Sequence, residues 1–399
     1  MKTFLGNHAM RYARLLLMLL LATALPALAY EPATISQLEQ ILAAAQGKSD
    51  RALAKELGDL ELTERLGTLR LEKLQTRLPG EKSRQALLVL SDASAFHDLP
   101  AAEIPKLAAP DRDTQSRILN KTTDYIRLAL PRMPNFIVTR DTARFIDLKV
   151  SDIGTSMAVV EAQPYRFINK TRETVTYRNH EETVVASASH PERQRGLYNW
   201  GVFGPLLQIV VTDIFTGKMG WGHWEQGRNG TLAVFRYAVA QDLSHYDVKY
   251  CCFPSENSWH LYESLTSYQG EIAVDPETGA ILRLTIQTDI PEGHPIYRAD
   301  ALVEYVPVEI GGQQYLCPAK SVSIARTMDS VTTRQVSCYE NSNCTPAEVV
   351  HPKDTSINDT VYHSYHVFRS EVRLLPEEAS DKEIESPQPR GPGTKAPKD

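Results

Sequence analysis

Two short stretches place side chains that do proton or metal chemistry close together. In Trp221-Gly222-His223-Trp224-Glu225 an imidazole and a carboxylate stand two residues apart, so on a β-strand they share a face. Such a pair can serve as general acid and base. The same alternation puts Trp221 beside them and Trp224 on the opposite face. No partnered nucleophile accompanies the pair, and polar cross-strand pairing accounts for it equally well. We read it as structural and keep a hydrolase using the His223/Glu225 region as an alternative. The second stretch is His363 and His366 in HSYH, with His351 upstream. Metal ligands must converge on one point, whereas a spacing of three along a strand sends these two to opposite faces, so no metal ligand is assigned. The chain contains no G-x-S-x-G, no H-E-x-x-H, no P-loop and no G-x-G-x-x-G after a strand. The usual hydrolase, zinc-protease and nucleotide-binding readings therefore lack their anchor residues. No catalytic residue and no cofactor is assigned, and the expectation is a protein that binds rather than catalyses.

Aromatic side chains offer the better candidate for binding. All four tryptophans fall between Trp200 and Trp259, accompanied by Phe203, Phe215, Phe235 and Tyr237. On a sheet such a cluster either lines a cavity for an apolar ligand or forms the core. The ligand-binding candidates are Trp200, Phe203, Trp221, Trp224, Phe235 and Tyr237. The five cysteines, Cys251, Cys252, Cys317, Cys338 and Cys344, lie in the second half. In an exported chain they read first as disulfides. Cys338 and Cys344 flank a short polar loop and can close on each other, leaving Cys317 for one of the adjacent pair. Neighbouring strand residues face opposite sides, and Cys252, which shares parity with Val248 and Tyr250, is the inward one.

Export itself is read from the N-terminus. Lys2, Arg11 and Arg14 precede or flank the apolar run Leu15 to Leu25, and Ala27-Leu28-Ala29 fits a small-x-small cleavage site, which is the pattern of a Sec-type signal peptide over 1–29. The run is too short to span a bilayer, which takes roughly 20 residues. A periplasmic or secreted protein is expected, with no transmembrane span after cleavage. Losing those three cations takes the formal charge from −6 to −9. An acidic chain without a basic block excludes nucleic acid as the expected partner.

The elements that would hold these residues fall into two blocks. At 399 residues, 42% hydrophobic and 23% charged, the chain has the composition of a globular protein with a sizeable core. Residues 30–133 read as helices. Ile35, Leu38, Leu42 and Ala45 form one stripe, Leu53 and Leu57 a second, and Leu62, Leu66, Leu69, Leu74 and Leu78 a longer helix stopped by Pro79-Gly80. A fourth follows from Glu81 to about Phe96, and a fifth, ending at Pro131, carries Ile118, Thr122, Tyr125, Ile126 and Ala129. Residues 134–375 change to period 2. Glu173 to Val185 reads as a hairpin with Asn179-His180 at its tip, and Phe203 to Phe215, with Pro205 at a first helical position, as an inserted helix. The clearest unit is the hairpin Tyr268 to Ile290. Its turn, Asp275-Pro276-Glu277-Thr278-Gly279, has Pro and Gly where a type I turn with a following bulge needs them. Its apolar face is expected to be Ile272, Val274, Leu282, Leu284 and Ile286. From 376 the composition reads as a disordered tail.

The segments ELTERLGTLRLEKL, LVLSDASAF, FGPLLQIVVTD, WEQG, VFRYAV, SHYDVKYCC, YQGEIAVDPETGAILRL, VEYVPVEIGGQQYLCPAKSVSI and YHVFRSEVRLL resemble an uncharacterised family of exported soil-bacterial proteins. Within the β half, the order GEIAVDPETGAILRL, VEY, LCPAKS and a final strand weakly resembles the periplasmic outer-membrane lipoprotein-carrier superfamily. That resemblance implies an incomplete antiparallel barrel with helices in its concavity and an acyl-chain ligand, and it assigns no residue. The expected fold is α+β: an N-terminal helical segment followed by a curved antiparallel sheet or half-barrel with an inserted helix. The expected function is binding of a lipid or other apolar or amphipathic ligand in the concavity. The alternative from another class is a cell-envelope scaffold that docks a protein partner through its helical region.

Overall fold

The structure is a computed structural model that describes residues 31–148, 163–185, 196–197, 201–254, 259–328, 330–334, 347–351 and 353–368. The expected signal peptide, Trp200, Cys338, Cys344 and the expected tail lie outside the described residues.

The N-terminal block starts with β1 (Glu31–Ala33), then α1 (Ile35–Ala44), α2 (Asp50–Gly58), β2 (Leu60–Leu62), α3 (Thr68–Gln75), α4 (Glu81–Ala93) and α5 (Arg112–Ala129). Local chemistry sets the starts. Thr34 and Gln37 form a capping box on α1, and Ser49 and Asp111 accept from backbone N–H groups of α2 and α5. The leucine stripes of α1 to α4 meet in one cluster with Ile35, Leu38, Leu57, Leu74 and Leu87 at its centre. The single helix expected over Leu62 to Leu78 is not formed. Leu60 and Leu62 alternate with Glu61, pair in parallel with β1, and bury both leucines. The helix begins only at Thr68, after Gly67 in an extended conformation.

The β half contains β3 (Phe136–Leu148), β4 (Gln163–Arg178), β5 (Glu181–Val184), β6 (Gly196–Leu197), α6 (Pro205–Thr216), β7 (Lys218–Gln226), β8 (Thr231–Val239), β9 (Asp247–Pro254), β10 (Trp259–Leu265), β11 (Ser267–Val274), β12 (Ile281–Asp289), β13 (Ile296–Ile310), β14 (Gln313–Thr327), β15 (Ser330–Arg334), β16 (Ala347–His351) and β17 (Asp354–Val367). Ten strands form one open antiparallel sheet in the order β5-β4-β3-β17-β14-β13-β12-β11-β8-β7. Sequence neighbours mostly pair, as short connections dictate. The exceptions are β17, which returns between β14 and β3, and β9 and β10, which leave to form a small sheet with β6. Phe136–Thr139 and Arg144–Asp147, which the alternation reads as two short strands, are parts of one continuous strand, β3.

Each face of the large sheet is covered. On the first, Phe136, Tyr177, Phe235, Ile272, Leu284, Ile286 and Tyr305 pack under α5, α6 and the small sheet. On the second, Val322, Ile324, Ile357 and Leu302 meet Val89 and Ala95 from α4 and the segment after it. Pro205 stands at the N-terminus of α6, whose Leu206, Leu207, Val210 and Ile214 are buried. The hairpin differs from the plain alternation at one point. The register shifts between Ala273 and Val274, so Val274 opposes Ile281. Ile281 therefore joins the first face, while Leu282 turns to the second and packs with Leu232, Val234 and Ala273.

The hairpin turn is pressed against α5. Gly279 has φ +81°, and a Cβ there would lie 2.4 Å from the Lys121 carbonyl carbon. Lys121 Nζ donates to the carbonyls of Pro276 and Glu277 at 3.3 and 3.0 Å. Replacing Gly279 by Ala combines a left-handed conformation with a backbone clash. We expect Gly279→Ala to lower stability by about 1–3 kcal/mol, read from urea unfolding; an unchanged midpoint would contradict this packing.

Candidate functional site

The residues singled out from the sequence separate into two groups, and a bulge decides the division. Between Trp221 and His223 the register on β8 shifts by one. Gly222 takes the extra position, where a Cβ would lie 3.0 Å from the Val234 carbonyl oxygen. Trp221 thus leaves the face of His223 and Glu225, contrary to simple alternation, and stacks edge-on against Trp224 at 4.9 Å and Phe235 at 5.5 Å. Trp224 Nε1 donates to the Ala108 carbonyl at 2.8 Å. Phe203 and Phe235 are fully buried, Phe203 lying 5.4 Å from both Phe136 and Tyr362. Tyr237 is buried too, and its hydroxyl donates to the Thr285 carbonyl at 2.6 Å. These aromatics brace the first face.

His223 and Glu225 lie on the second face, inside a charged seam. Glu225 accepts from Arg65 Nη2 at 2.7 Å and from Arg283 Nη1, and Arg283 also reaches Glu271 at 3.3 Å. Burial would raise the Glu225 carboxyl, but the Arg283 charge, the His223 ring 3.6 Å away and the Arg65 charge hold it well below the ordinary carboxylate range. A carboxylate so held stays ionised near neutral pH, and it ties β7 and β12 to Arg65 of the N-terminal block. A second buried group works the same seam: Lys320 Nζ lies 2.7 Å from Asp92 on α4 and 3.2 Å from Asp359 on β17. Burial pushes Asp92 up to about 7, with Lys320 opposing and Asp359 adding to the rise.

Two further expectations change. A register shift between His363 and His366 lets these residues oppose Thr139 and Ile137, which share a face. They therefore project to the same side rather than to opposite sides. His363 lies 2.9 Å from Ser364 Oγ and 3.6 Å from Asp141. Among the described residues no group of three or more His, Cys, Asp or Glu is arranged to hold a metal ion. Among the described residues Cys251 and Cys252 form a vicinal pair with each other, and Cys317 is buried without a disulfide partner. Cys317 sits on β14 opposite Val306 in the large sheet, whereas β9 belongs to the small one. Burial pushes the Cys317 thiol up to about 12, which makes it unreactive near neutral pH.

A cleft of about 560 Å³ opens at the end of the sheet where the hairpin turn meets α5. Tyr125, Ile126, Ala129, Leu130 and Met133 form one wall, and Leu207, Ile281, Tyr315 and Leu316 form the others. Leu128 stands half-exposed at its lip. The rim is polar, with Lys121, Asp124, Arg132, Glu277, Gln313 and Gln314. Asp124 pairs with Arg127 at 3.0 Å and Lys121 is engaged by the turn carbonyls, while Arg132 has no ion-pair partner among the described residues. None of Phe203, Trp221, Trp224 and Phe235 lines this cleft. Its walls come from two helices and the strand ends beside two turns, far apart in the chain, and the local signal was the Ile118/Thr122/Tyr125/Ile126/Ala129 stripe.

The crystal structure of LolA superfamily protein NE2245 from Nitrosomonas europaea is similar to this chain. The likeness is weak, with a TM-score of 0.27 and 9% identity over 64% of this chain and 94% of that one. No family model and no curated protein matches the chain.

Removing Glu225 leaves two guanidinium groups buried against each other. Glu225→Ala should cost about 3–5 kcal/mol in chemical unfolding, and a loss below 1 kcal/mol would show that the seam does not hold the block. Burial also pushes Asp300, paired with Arg298, up to about 6. The folded chain then keeps protons that the unfolded chain, with Asp near 3.9, has released. Stability contributed by Asp92 and Asp300 is therefore present at low pH and falls as pH rises from about 4 to about 7. Asp300→Asn should flatten that fall by up to roughly 3 kcal/mol, measured as the pH dependence of the urea midpoint; an unaltered slope would rule Asp300 out as its source.

Proposed function

We propose that this protein binds one small apolar or amphipathic ligand in the cleft between α5 and the two turns, and that it acts outside the cytoplasm after export by its N-terminal signal. The observation that carries the reading is an apolar-walled opening of about 560 Å³ that reaches the first-face core beside a polar rim. That volume lies within the ~300–1,000 Å³ usual for small-molecule sites. The rest of the first face is filled by α5, α6 and the small sheet, so the ligand sits at the end of the sheet rather than along its face. Arg132 at the rim fits an anionic head group, with the apolar part against Leu130, Met133 and Leu316. No helix among the described residues is long and apolar enough to cross a membrane. The N-terminal helices turn their stripes into their own core, which gives a docking module nothing apolar to offer from those stripes.

The test uses the purified full chain, with palmitate and lysophosphatidylcholine as probes, followed by displacement of a fluorescent fatty acid and by native mass spectrometry. Ala129→Trp, which fills the cleft from α5, should weaken binding by at least about tenfold, an amount equal to ~1.4 kcal/mol, without lowering the melting temperature. Arg132→Glu should weaken palmitate by a similar factor and leave a probe without net charge nearly unaffected. Wild-type protein that takes up neither probe, or an Ala129→Trp protein that binds as well as wild type, would refute the reading.

A further inference from the structure

The second face holds a cavity of a different character. It measures about 250 Å³ and lies between Phe96-His97-Asp98, just after α4, and strands β8, β11 and β12. Gly270 lets the strands close up beside it: a Cβ there would lie 1.9 Å from the Thr285 carbonyl oxygen and 2.8 Å from the Tyr237 hydroxyl. The charges around it balance. Arg236 bridges Asp98 at 2.7 Å and Glu271 at 3.1 Å, and Arg65 is tied to Glu225. Arg65 is 6% exposed and its Nε has no hydrogen-bond partner. Gln269 and Gln287 stand directly opposite each other across β11 and β12. Among the described residues neither amide, nor the His97 ring, has a hydrogen-bond partner.

These features select a class of ligand. A lining with equal numbers of fixed cations and anions gives no net attraction to an ion, whereas each ion-paired group keeps spare donors or acceptors. Two opposed amides and an imidazole supply donors and acceptors side by side, which suits hydroxyl groups because each of those both donates and accepts. Phe96 adds one apolar surface to the lining, which suits the C–H face of a ring. We propose that this cavity binds a neutral polyhydroxylated ligand the size of one sugar ring, held by Gln269, Gln287 and His97 beside the Arg236–Asp98 pair. The site is separate from the cleft and does not depend on a ligand there.

The experiment is saturation-transfer-difference NMR with isothermal titration of the full chain, using glucose, galactose and N-acetylglucosamine, with inorganic phosphate as the anionic control. At least one sugar should bind, with little dependence on salt. The double variant Gln269→Ala/Gln287→Ala should weaken it by about tenfold, while Ala129→Trp leaves it unchanged. His97→Ala, at an exposed loop position, gives a second reading of the same kind should the double variant melt early. No transfer from any of the three sugars, binding insensitive to both sets of substitutions, or binding of phosphate alone would overturn the proposal.

Discussion

The carboxylate of Glu225, placed between Arg65 and Arg283, joins the two halves of this protein. Glu225 comes from the edge strand β7, Arg283 from the hairpin strand β12, and Arg65 from the N-terminal block. Two buried guanidinium groups near each other are tolerable only with an anion between them. The interaction is therefore more a condition of assembly than a source of net stability. Apolar residues of the same size would pack as well, but they would not fix which part of the N-terminal block lies over which strands. Lys320 between Asp92 and Asp359 repeats the device further along the sheet. The second face is thus covered by a layer whose position is set by charge, with the Val89 and Ala95 contacts filling in between.

The first face is organised differently. Its cover is apolar nearly throughout, and its position is set by shape, above all where Gly279 admits the backbone of α5 to the hairpin turn. The turn meets α5 near Lys121, and the cleft opens beside the C-terminal half of that helix, where Tyr125, Ile126 and Ala129 line it. A side chain at 279 would lift the helix and change the cleft as well as the stability. The geometry of the cleft depends on how one glycine lets a helix dock.

Most elements were legible because their periodicity is strong and local. The hairpin over 268–290, the inserted helix after Pro205, the turn at Asn179-His180 and four of the five N-terminal helices follow from spacing, caps and turn residues alone. What misled the alternation was the bulge. At Gly222, at Leu282 opposite the Ala273–Val274 step, and between His363 and His366 one extra residue reverses which side the following residues take. Trp221, Leu282 and the two histidines were each put on the wrong relative face for that reason. The helix expected through Leu62 failed for another: a three-residue strand carries too little pattern to compete with a leucine stripe. The cleft was legible only in the Tyr125, Ile126 and Ala129 part of one helical stripe. Its walls at 125–133, 207, 281 and 313–316 meet only through long-range pairing, and aromatic clustering pointed instead to the brace of the core.

One hairpin serves both cavities. Its turn end supplies Glu277, Thr278 and Ile281 to the cleft, while its open end supplies Gln269, Gly270, Glu271, Thr285 and Gln287 to the polar cavity on the other face. Alternation on either side of the bulge makes this division possible, since a single layer of backbone separates an apolar side from a polar one. It also explains the placement of polar residues that an ordinary half-buried hairpin would leave in water. Arg283 and Thr285 are buried because the N-terminal block covers them. Arg283 is matched by Glu225 and Glu271, and the Thr285 hydroxyl accepts from the Glu271 N–H at 2.8 Å. Gln269, which is exposed, and Gln287, which is half-buried, two strand positions farther on, lie beyond that matched region and have no such partners among the described residues. The boundary between matched and unmatched polar groups is where a ligand can supply what the protein does not.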